Sequence, residues 1–169
     1  FPATNDVSRA SSYDINILKL DTGLQLKARA MVKGAADNAG YSIAADENGN
    51  VYLTGSYGAE SADFYSNGSD QVFASRSASK PSIFVAQLDS NFTFKWVNQP
   101  SGTPPDFDFT LTTPRIVWNP VLQRLFWSGY FGNGSLTMGQ PNTMKTLNGP
   151  KGFLAVLDPD GKFTERVNL

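Results

Sequence analysis

The strongest constraint on the fold is a strand-and-turn pattern that recurs at almost constant spacing. Three segments run an apolar strand into Leu-Asp: Ile15-Asn16-Ile17-Leu18-Lys19-Leu20-Asp21, Ile83-Phe84-Val85-Ala86-Gln87-Leu88-Asp89 and Phe153-Leu154-Ala155-Val156-Leu157-Asp158, with the aspartates 68 and 69 residues apart. Each is followed by turn-forming residues, Thr22-Gly23, Ser90-Asn91 and Pro159-Asp160-Gly161, and then by a second strand such as Phe92-Thr93-Phe94-Lys95-Trp96. Strand, tight turn and strand make a hairpin. A second hairpin type lies between these copies. Tyr41 to Asp46 runs through Glu47-Asn48-Gly49-Asn50 into Val51 to Gly55, and Arg115 to Trp118 runs through Asn119-Pro120 into Leu125 to Gly129, with Gly129 placed 74 residues after Gly55. A period of this length marks a stacked architecture, because one unit cannot bury its own faces.

The unit is four antiparallel strands, a, b, c and d, and the chain reads c, d, then a, b, c, d twice. The expected fold class is all-β: tandem four-stranded antiparallel blades of β-propeller type, about two and a half repeats, with very little helix. A sandwich needs no such period, and a β-solenoid has a shorter one. No stretch of ten residues sustains the 3.6-residue periodicity of a helix, and the 10 Pro and 15 Gly are scattered throughout. Residues 1–40 are expected to supply strands c and d of one repeat, residues 41–106 a complete repeat, and residues 107–169 a complete but degenerate one.

These residues resemble the SBBP repeat, a bacterial family named for its β-propeller type. Its pattern, A-x-D-x-x-G-N-V-Y-V-T-G-S, then D-F-P, then D-x-F-V-x-K-L-D-x-x-G, is similar to Ala45 to Ser56, Ala62-Asp63-Phe64 and Ser82 to Asp89. Phe1-Pro2-Ala3-Thr4 resembles the F-P element of a preceding copy, so the chain is expected to begin inside a repeat. The third copy departs from the pattern: Asn119 to Arg124 replaces the D-x-x-G-N turn, and Phe126-Trp127-Ser128-Gly129 keeps a trace of Y-V-T-G. The resemblance implies a secreted or surface-displayed protein and implies no activity.

Composition narrows the function classes. The chain has no histidine and no cysteine, which excludes Ser-His-Asp and Cys-His nucleophile systems, imidazole or thiolate zinc sites, disulfides and redox pairs. With 14 basic against 15 acidic residues there is no positive field to collect nucleic acid, and no apolar run is long enough for a membrane-spanning helix. Ser, Thr and Asn together supply 41 of the 169 residues, the uncharged polar surface common outside cells. The expected protein is therefore non-enzymatic, extracellular or at the cell surface, and without cofactor. It is expected to self-associate or to join neighbouring repeats of a longer array, as a filament or a surface layer. A carbohydrate- or protein-binding adhesion module is the alternative, with loops 59–80 and 133–150 as display sites.

The chemistry-bearing residues have structural readings beside functional ones. Asp46-Glu47-Asn48-Gly49-Asn50 offers oxygens to a cation but lacks EF-hand spacing, and Asx residues cap turns; Asp21, Asp89 and Asp158 read the same way. Asp106 and Asp108 are a close carboxylate pair beside two prolines, of the kind a glycosidase needs, but fit a connection between repeats. Trp96, Trp118 and Trp127 are expected to fill the core between blades, whereas Tyr130 and Phe131, entering Gly132-Asn133-Gly134, are expected to be exposed contact residues. Asn67, Asn91 and Asn133 head N-x-Ser/Thr sequons in expected turns and are candidate N-glycosylation sites, in number no more than this composition yields by chance. Ser75 to Lys80 is a Ser-rich loop that offers hydroxyls for O-linked sugar.

Overall fold

The computed structural model describes residues 12–58, 62–66, 69–71, 82–100, 113–132, 135–138, 145–148 and 151–168. Among these there are fourteen strands and no helix. They are β1 (Ile15–Leu20), β2 (Leu26–Gly34), β3 (Asn38–Ala45), β4 (Val51–Tyr57), β5 (Ala62–Ser66), β6 (Ser69–Gln71), β7 (Ser82–Leu88), β8 (Phe94–Asn98), β9 (Arg115–Asn119), β10 (Arg124–Phe131), β11 (Ser135–Met138), β12 (Lys145–Asn148), β13 (Lys151–Leu157) and β14 (Phe163–Asn168). The second sheet has the order β3-β4-β7-β8 and the third β9-β10-β13-β14, the a-b-c-d order that the sequence period requires. All pairings are antiparallel, and the register is repeated: Val51 faces Leu88 as Leu125 faces Leu157.

The first sheet is different. Its order is β1-β2-β5-β6, so strands c and d of the first repeat are extended by a hairpin inserted between b and c of the next. Residues expected to be display loops thus contain the hairpins β5–β6 and β11–β12, the latter a two-stranded sheet. The second repeat also begins structurally at Asn38, a few residues before the break expected from sequence.

Strand alternation builds two cores from one central sheet. Along β4 and β7, Leu53, Tyr57, Phe84, Ala86 and Leu88 point into the core shared with the first sheet, while Tyr52, Ile83 and Val85 point into the core shared with the third. All of β7 is buried, in keeping with its apolar run Ile83 to Ala86 and with Gln87 and Leu88 beyond it. Phe64 on β5 meets Phe84 and Phe94 edge-on, each at 5.2 Å, so the inserted hairpin seals the first core. In the second core Trp127 lies edge-on to Phe153 at 5.3 Å and donates its indole N–H to Thr54 Oγ1 at 3.0 Å.

The turns repeat as closely as the strands. In the turns that begin at Asp21, Asp46, Asp89 and Asp158, the N–H three residues on donates to the aspartate carbonyl at 2.8–3.1 Å. That third residue adopts positive φ: Leu24 (61°), Gly49 (78°), Phe92 (66°) and Gly161 (80°). In three of these hairpins the ladder shifts register just before the aspartate, as a type I turn with a bulge demands. Leucine is poorly suited to this conformation, and Leu24 is 77% exposed, so it gains no burial in return. Leu24→Gly is expected to raise stability by about 1 kcal/mol in urea denaturation, whereas Phe92→Gly should lower it, because Phe92 is buried.

Candidate functional site

The aspartates are turn caps. Asp46 Oδ1 accepts the N–H groups of Asn48 and Asn50, both at 2.9 Å, while Oδ2 accepts Asn50 Nδ2 at 2.8 Å and the Tyr52 hydroxyl at 3.1 Å. Asp21 and Asp89 each take the N–H groups two and four residues on, and Asp158 takes that of Lys162. The carboxylate lone pairs at Asp46 are therefore engaged by donors of its own hairpin.

The same turn clasps the third sheet. Glu47 accepts hydrogen bonds from Gln123 Nε2 and from Trp118 Nε1, and these bonds hold its carboxyl below the usual range, the Gln123 bond most strongly. Trp118 stacks on Tyr52 with 5.2 Å between centroids and 9° between planes. Trp96 Nε1 donates to Pro159 O at 3.0 Å. Burial, then the charge of Asp46 and the hydrogen bond donated to it, raise the Tyr52 phenol above its ordinary value of 10.0. A folded-state value above the unfolded one means stability is intact below pH ~10 and is lost as the unfolded phenol ionises. Absorbance titration is expected to show Tyr52 ionising late, and Asp46→Asn should bring it earlier.

The expected aromatic contact site is not formed as a pair. Tyr130 is half-buried, but Phe131 is fully buried in the second core. The two-residue period of β10 puts Phe131 on the same face as Leu125 and Trp127, and the strand runs on to pair Phe131 with Lys151 before any loop begins. Trp127 fills the core as expected, and Trp96 and Trp118 pack partly buried against it. Asn91 sits exposed in its turn, with its N–H bonded to Asp89 Oδ1. Asn67, Asn133, Asp106, Asp108, Phe1 to Thr4 and Ser75 to Lys80 lie outside the described residues.

The arrangement that stands out is geometric. β1 is the c strand of the first repeat, and among the described residues its only ladder partner is β2. Its counterparts β7 and β13 carry a b strand on the other edge, paired over seven residues each. Beside the open edge lies a groove of about 530 Å³, walled by Ile15 to Leu18 on one side and by Gly40 to Ile43, Leu53 and Arg115 on the other. Leu18 and Leu20 are 53% and 47% exposed, whereas the residues at their repeat positions, Ala86 and Leu88, Ala155 and Leu157, are buried. Sequence reading placed these residues on strands and named none of them as a site. The available signal was the substitution of Asn16 where the other copies have Phe84 and Phe153.

The third sheet presents a related surface. Phe126 on β10 pairs with Val117 and Val156 in one cross-strand row facing away from the second sheet. The corresponding residue of the second sheet, Tyr52, is fully buried because the third sheet covers it.

A family model described as a beta-propeller repeat, SBBP, matches residues 34–56, which form β3, its turn and most of β4. No curated protein and no solved structure gives a significant match to the chain. The matched segment, the four-stranded sheets and the period between them agree: this is an all-β chain that carries an SBBP beta-propeller repeat.

Proposed function

We propose that the chain is a non-enzymatic structural scaffold working outside the cell, in which propeller-type repeats associate with further repeats of the same kind. The observation that supports this reading is the outer face of the third sheet. Its row Val117, Phe126 and Val156 occupies the positions that are covered in the second sheet; Val117 is 61% exposed and Phe126 partly so, while Val156 is buried at the end of the row. An apolar sheet face of this kind is a docking surface, and docking between unlike surfaces of identical chains propagates instead of closing unless the rotation completes a ring. The aromatic residues that a binding module would display are Trp127 and Phe131 in the core and Trp96 and Trp118 tied down through their indole nitrogens. Sedimentation velocity tests the reading: the chain should associate increasingly with concentration, and Val117→Lys should weaken association while leaving the urea midpoint unchanged. A folded chain that stays monomeric throughout overturns it.

A further inference from the structure

We propose that the open edge of β1, with the groove between it and β3, is an acceptor site for the inner hairpin of a further repeat, an antiparallel pair with the alternation of residues 38–57. The proposal rests on the scaffold reading and adds to it a place and an occupant. Three observations support that occupant over an unrelated peptide or a globular partner.

First, the molecule displays the completed arrangement twice. On β7 the free edge is taken by Val51 to Tyr57, and on β13 by Leu125 to Phe131, each in an unbroken seven-residue antiparallel ladder. β1 has the same position in its own hairpin and the same Leu-Asp turn, with an identical register shift beside it. Half of the N–H and C=O groups of an edge strand point away from its one partner and template another strand. Second, the β1 wall of the groove, Ile15 to Leu18, is the stretch whose repeat equivalents on β7, Ile83 to Ala86, form the ladder with Ser56 to Leu53 of the b strand. Third, the far wall of the groove continues an existing contact. β3 already lies beside β9 of the next repeat, joined by the Ser42 hydroxyl, which accepts from Ile116 N at 3.3 Å. The groove lies alongside Gly40 to Ile43 of β3 and ends at Arg115 of β9, so an incoming a strand would flank β3 as β3 flanks β9. A single peptide strand would fill the ladder on β1 but leave this inner place empty, which is why a hairpin and not a lone strand is the fitting guest.

The test adds a synthetic peptide of residues 38–57 to the full chain and follows amide hydrogen exchange. The expected result is slowing of about tenfold or more across Ile15 to Leu20, with the exchange of β13 unchanged. A scrambled peptide should do nothing. Unchanged exchange in β1 at saturating peptide overturns the proposal, as does protection that appears on β14 instead. The two readings fail separately: assemblies that form with β1 amides still unprotected sink the acceptor site alone. Peptide capture by a chain that never associates by itself sinks the scaffold reading alone.

Discussion

Gly55→Ala is expected to cost about 3 kcal/mol, at the upper end for overpacking a core and a large share of the stability of an ordinary domain. The reason is a close approach built into every b–c pair. A Cβ on Gly55 would lie 2.5 Å from the carbonyl oxygen of Ala39 and 2.8 Å from Cζ of Phe84, its own ladder partner. The backbone oxygen belongs to the neighbouring strand and cannot swing away, and Phe84 is held by Phe64 in the first core. Gly129 repeats the arrangement, with Phe153 Cε1 at 2.7 Å, so Gly129→Ala should be destabilising as well, but less, because the nearest atoms there are side chain only. Gly40→Ala is the control. Its added Cβ would meet a single side-chain atom, the Ile15 Cγ2 methyl, at 3.2 Å and no backbone, a contact that a shift of a few tenths of an ångström relieves, and the change should stay within about 1 kcal/mol. Urea titration reads all three, with an unchanged slope showing that the midpoint reports stability.

Trp127→Ala should destabilise by about 3–5 kcal/mol, the range for removing a buried tryptophan. Trp127 has no exposed surface and touches both sides of the second core: Phe153 and Phe163 from its own sheet, and Thr54 of the second sheet through its indole nitrogen. Its loss opens a cavity where two repeats meet and so weakens the joint between them as well as the third sheet. Trp127→Phe separates the two contributions. It keeps most of the apolar volume and removes the hydrogen bond to Thr54, whose hydroxyl still donates to Phe84 O at 2.7 Å, so the expected cost falls to about 1–2 kcal/mol. Equal losses for Ala and Phe would show that the hydrogen bond, not the packing, dominates this joint.

What was legible in the sequence was local and periodic. Leu-Asp followed by a turn located every c–d hairpin, because the leucine is the last ladder position and the aspartate caps the turn that follows. The period then fixed the order of strands in the second and third sheets. What could not be read was non-local. Nothing in Ala62 to Ser66 announces that it pairs with β2, some thirty residues upstream, instead of with its own repeat, since pairing partners depend on which edge is open in three dimensions. The hairpin itself had a signal, Asn67-Gly68 between two alternating runs, which is a strong turn dipeptide. Phe131 was misplaced for the opposite reason. The following Gly132-Asn133-Gly134 drew the boundary too early, while the alternation from Leu125 through Trp127 already placed it inside. The open edge of β1 depends on which strands surround it, and only its altered residues, Asn16 above all, hinted at a strand lacking one neighbour.

The central claim, that these repeats build outward by docking further repeats of their kind, is tested most directly by electron microscopy of the purified, folded chain at high concentration. The account predicts rings or fibres whose subunits repeat regularly and which disperse in the Val117→Lys variant. Isolated particles of single-chain size, with the fold intact by circular dichroism, would contradict it.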